Sequence, residues 1–228
     1  MGRRIHRRTM VLYLLCGLAG CLLMGGSDWL MIYGSTACQG QLAWLTEGVA
    51  LIPAGQNRLA MLLAIPAVVL YLLALLGVRH FLHDLPAQRI YTGLTALGMT
   101  PWLCLHLFYT MILFLFAWLR GRGETELAFA ACEALFAHFV WLVPVCEVLM
   151  VLPFLYLLFA FATGRTDYSR WLALNSPLLL YVVLKLISGL LPDVPARLAF
   201  VNGLMSESMA LWFLILLLAL AGRKDRLY

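Results

Sequence analysis

The sequence predicts an all-α, polytopic bundle of membrane-crossing helices, and three observations carry that expectation. Of 228 residues, 64% are hydrophobic and 12% charged, about half the charged share of a soluble domain. The apolar residues are gathered into runs of about 20 or more, the length a helix needs to cross a hydrocarbon layer about 30 Å thick. Lysine and arginine fall mainly between those runs.

Six runs meet this requirement: 9–31, 59–78, 93–118, 130–163, 171–191 and 198–221, read together as one integral membrane domain over 1–228. The first follows the basic stretch "RRIHRR". Within it, Leu18-Ala19-Gly20-Cys21 resembles the lipobox at which bacterial lipoproteins are cut and lipidated. The apolar run continues past Cys21, as a full span does and a cleaved signal seldom does. Gly17 and Gly20 also suit a close approach of neighbouring helices.

The run ends in "GGSDWLMIYG". This stretch resembles the glycine-plus-aspartate ending of the first helix in uncharacterised bacterial multi-pass membrane proteins. The resemblance implies a bacterial inner-membrane setting and brings no activity with it. Gly25 and Gly26 are expected to weaken or bend the helix. Asp28 then lies near the interface, with Trp29 and Tyr33 as aromatic anchors, either capping or receiving a neighbour's hydrogen bond, or lining a site from above. The following connection, 34–57, carries Leu42, Leu45, Val49 and Ile52 at helical spacing beside Trp44. It reads equally as an interfacial helix or as a plain loop.

In the third run, His106, Tyr109 and Thr110 form a polar stripe at i, i+3 and i+4. The fourth, 130–163, is too long: 34 residues at 1.5 Å each extend about 51 Å. It is expected to project, tilt or kink at Pro144 or Pro153. It carries Glu133, His138 and Glu147. The two glutamates are about 21 Å apart along an ideal helix and so belong to different places. The fifth run holds Asn175, Ser176, Lys185 and Ser188, and the sixth Asn202, Ser206, Glu207 and Ser208.

Orientation follows from the basic residues. A cytoplasmic N-terminus puts eleven lysines and arginines on the cytoplasmic side, including Arg79, Arg89, Arg165 and Arg170, against Arg58, Arg120, Arg122 and Arg197 outside. The bias sets both termini inside. It also explains the net charge of +5 as dispersed loop charge beside an anionic leaflet, so no nucleic-acid partner is expected. Five of six cysteines fall within runs, and Cys38 alone sits in an outer loop, so no disulfide framework is implied.

A charge at the bilayer centre costs about 2.5–3.5 kcal/mol even on a lenient scale, so such residues usually face other helices and often mark function. His106, Tyr109, Glu147, Lys185, Asn202 and Glu207 come from four helices yet share a depth in the middle and outer half. They are expected to bind a ligand, with Asp28, Glu133 and His138 at the outer mouth. Lys185 calls for Glu147 or Glu207 as its counter-ion, since a buried ammonium without one is costly. No phosphate loop, nucleophile elbow, HExxH or CxxC motif is present, and His80 and His83 sit at a basic interface. No metal or cofactor is therefore expected.

Three function classes fit. One is a protein that binds or moves a lipid-like or small amphiphilic ligand in an outward polar cavity. A second is a membrane-embedded enzyme using glutamate and histidine as base and acid on a lipid. A structural subunit whose polar residues only fix packing is a third. Membrane lipids are partners in each.

Overall fold

The computed structural model describes residues 6–32, 52–166, 168–192 and 194–222. The expected 34–57 helix or loop falls mostly outside them, as does Cys38. Among the described residues there are seven α-helices and no strand. In chain order these are α1 (Arg7–Ile32), α2 (Ala54–Val78), α3 (Leu85–Arg120), α4 (Thr125–Phe139), α5 (Leu142–Ala162), α6 (Pro177–Ser188) and α7 (Pro195–Ala221). The all-α bundle is as the sequence predicts, and five helices, α1, α2, α3, α5 and α7, are long and apolar enough to cross a membrane.

Among the described residues five helices rather than six reach that length, for local reasons. In the fifth run, Arg170–Asn175 forms a 3-10 helix, and Ser176 caps α6, its hydroxyl accepting from the Leu179 amide at 3.4 Å. Pro177 then starts α6 and Gly189 ends it. Its 12 residues extend only about 18 Å.

The fourth run is broken rather than kinked. A turn at residues 140–141 separates α4 from α5. Pro144 explains its position, because it has no N–H to offer the Val140 carbonyl and its ring crowds that group. Pro153, by contrast, is accommodated inside α5. Gly25 and Gly26 do not break α1 either, which runs helical through both to Ile32.

The helices pack in the order α6–α7–α1–α2–α3–α5, with α4 against α3. Glycines set the closest approaches. A Cβ on Gly17 would fall 2.6 Å from the Phe213 ring, and one on Gly98 2.6 Å from the Leu149 carbonyl oxygen. Hydrogen bonds tie one end of the bundle together. Arg7 donates to the Leu220 and Ala221 carbonyls, and the turn after α2 pairs with the turn after α5 through Leu82 and Thr166.

The buried apolar residues fall into two clusters. The larger spans the first-named end and includes Leu14, Tyr71, Tyr91, Phe154 and Trp212. The smaller lies toward the α3–α4 turn and includes Met31, Ile112, Phe116 and Cys132. On α1 and α3 the two are separated by a short polar level at residues 27–28 and 106, and on α2 they part between Ala60 and Ala64.

Candidate functional site

That polar level is a hydrogen-bonded network centred on His106, whose residue is 5% exposed. Its Nε2 lies 2.8 Å from Ser27 Oγ, and its Nδ1 lies 3.2 Å from Asp28 Oδ1. One imidazole from α3 thus engages two consecutive residues of α1. Ser27 donates its hydroxyl to the Ala60 carbonyl of α2 at 2.6 Å.

Proton accounting constrains the site. A carbonyl can only accept, so the single Ser27 O–H is committed to Ala60 and the Ser27 oxygen must accept from His106 Nε2–H. On the other ring nitrogen, two lone pairs would face each other unless a proton lies between Nδ1 and Asp28. With that proton in place the pair is neutral as a whole, whether it is written as an ion pair or as two neutral groups. Both imidazole nitrogens are then occupied.

Helix α7 grips the same stretch of α1 with two adjacent i, i+4 pairs. Asn202 Nδ2 donates to the Asp28 carbonyl at 2.7 Å, and the Ser206 hydroxyl donates to Asp28 Oδ2 at 2.9 Å. One residue further round, Glu207 Oε1 accepts from the Trp29 indole at 2.8 Å. The indole lies over Gly203, where a Cβ would come within 2.9 Å of its nitrogen.

A cavity of about 210 Å³ opens beside the network. Asp28 of α1, His106 and Tyr109 of α3, Glu147 of α5 and Asn202 of α7 supply its polar wall, and Met31, Trp102 and Met150 supply apolar wall. A second cavity, about 350 Å³, shares Glu147, Met150 and Asn202 with the first. Its remaining wall comes from α5, α6 and α7 and is apolar apart from Tyr181: Leu178, Val201, Leu204 and Met205 among others. α5 and α7 meet edge-to-face at Phe154 and Trp212, with ring centroids 6.3 Å apart. The cavities lie between the same two helices toward residues 147 and 202.

Of the residues the sequence singles out, His106, Tyr109, Glu147 and Asn202 border one chamber, and Asp28 joins them rather than standing above. Glu207 instead serves the Trp29 contact. Lys185 is exposed and makes no ion pair with Glu147 or Glu207 among the described residues. The counter-ion reading of Lys185 is therefore corrected, for α6 is short and turns that residue outward. Glu133 and His138 are exposed on α4, with His138 edge-on to Phe139. Cys21 is buried in mid-α1 beside Tyr71.

Sequence reasoning passed over Ser27 as a network member and did not place Ser206 against Asp28. The i, i+4 pairing of Asn202 with Ser206 was the available signal. Among the described residues no group of three or more histidines, cysteines, aspartates or glutamates is disposed to hold a metal ion.

Residues 4–222 match the family described as "Family of unknown function (DUF6796)", and the chain belongs to it. No curated protein and no solved structure matches the chain.

Proposed function

We propose that this chain is a multi-pass membrane protein that binds or moves a lipid-like or small amphiphilic ligand between α5 and α7. The observation that carries this reading is the pairing of a polar chamber with an apolar groove through a shared wall at Glu147, Met150 and Asn202. An amphiphile has the same division: a polar head for the chamber and an alkyl chain for the groove. The five long apolar helices support the membrane setting. The excess of arginine at the Arg7, Arg79 and Arg165 end supports cytoplasmic termini, which puts the chamber in the outer half of the bilayer.

Acid–base catalysis on a lipid is the weaker reading. In that reading a glutamate is the base and His106 the acid, which needs an N–H to give to the substrate. Both His106 nitrogens are engaged by Ser27 and Asp28.

The test is saturable binding of a long-chain amphiphile to delipidated protein in a neutral detergent. Val201→Trp, which fills the groove, is expected to abolish binding while leaving the fold intact. Equal binding by that variant would contradict the proposal.

A further inference from the structure

Resting on the amphiphile-binding reading, we propose that the headgroup this chamber takes is an ammonium group carried on an alkyl chain.

The charge inventory of the two cavities is one-sided. Two carboxylates, Asp28 and Glu147, reach their walls, and among the described residues no lysine or arginine does. Asp28 is already balanced, because the proton between it and His106 makes that pair neutral as a whole. Glu147 has no such neighbour. The cation that sequence placed opposite it, Lys185, is exposed and does not pair with it. One acid without a basic partner thus stands where the polar chamber meets the apolar groove.

The position matters as much as the sign. A chain lying along Leu178, Val201 and Met205 brings its first atoms past Glu147. An ammonium there forms charge-assisted hydrogen bonds with the carboxylate. Glu147 is itself exposed on α5, and a phosphate or carboxylate head beside it would meet a like charge. Asn202 donates one amide N–H to the Asp28 carbonyl, and its amide oxygen is an acceptor that an ammonium can also use. His106 has no N–H to spare for an anion, since its nitrogens are engaged.

The ammonium could belong to a free long-chain amine or to an ethanolamine phospholipid, and the experiment includes both. Full-length protein in neutral maltoside detergent is titrated with dodecylammonium, dodecanol, dodecyl phosphate and a lysophosphatidylethanolamine, with binding read by native mass spectrometry and calorimetry. Dodecylammonium is expected to bind about tenfold or more tighter than dodecanol, the gain of one charged hydrogen bond. Dodecyl phosphate is expected to bind weakest. The preference should vanish in Glu147→Gln and persist in Glu207→Gln, whose carboxylate serves Trp29. A lysophospholipid that binds with the same Glu147 dependence identifies the lipid as the source, and one that does not identifies the free amine.

Phosphate binding as well as ammonium, or a preference that survives Glu147→Gln, would overturn the headgroup assignment while leaving the amphiphile site standing. Loss of preference in both glutamate variants would do the same, by tracing it to general surface charge. Failure of every chain-bearing probe to saturate would instead overturn the amphiphile reading beneath it.

Discussion

His106 Nδ1 lies 3.2 Å from Asp28 Oδ1, joining the middle of α3 to the last turns of α1 at the level between the two apolar clusters. Such a pair is costly to half-remove, since the remaining member is stranded in a buried place. His106→Leu is expected to lose about 3–5 kcal/mol of stability. Adding Asp28→Leu should recover part of that loss, giving a coupling of about 0.5–3 kcal/mol in a double-mutant cycle of unfolding in detergent. Strict additivity of the two substitutions would mean that the pair does not interact.

The glycines divide into those that hold helices together and those that do not. A Cβ on Gly98 meets the Leu149 backbone oxygen at 2.6 Å, and backbone cannot step aside as a side-chain tip can. Gly98→Ala is expected to cost about 1–3 kcal/mol by forcing α3 from α5. Gly26 has nothing within 4 Å of its position, so Gly26→Ala should be neutral or gain up to about 1 kcal/mol from better helix propensity. Thermal unfolding of the two variants side by side checks the contrast.

Trp29 and Glu207 hold the α1–α7 seam through one indole hydrogen bond. Glu207→Gln keeps an acceptor for the indole and is expected to change stability little. Trp29→Phe removes the donor and should cost about 1–3 kcal/mol. The reverse order of effects in chemical denaturation would count against the bond.

Lys185→Met is expected to stay within about 0.5 kcal/mol of the parent in the same assay, as surface substitutions without special contacts do. A loss of several kcal/mol would restore the counter-ion that the sequence suggests and the structure does not show.

Much of this was legible in the chain. Run length and composition mark the long apolar helices, because a bilayer imposes length directly on sequence. Depth was legible too: counting residues along each run brings His106, Tyr109, Glu147 and Asn202 to a common level. Azimuth was not. Whether Asp28 caps a helix end or turns inward to His106 depends on how α1 is rotated. That rotation is set by contacts such as Gly17 with Phe213 and Gly203 with Trp29, whose partners lie far apart in sequence. The break before Pro144 was visible as a proline, but neighbouring Pro153 is tolerated. The proline alone did not reveal which of the two interrupts the helix.

The most direct test is a high-resolution structure of the protein extracted with its native lipid. An elongated density lying between Leu178 and Met205, with its polar end at Glu147, is the expected result. Side chains of α5 and α7 closing against each other at that level, with no room for a ligand, would contradict it.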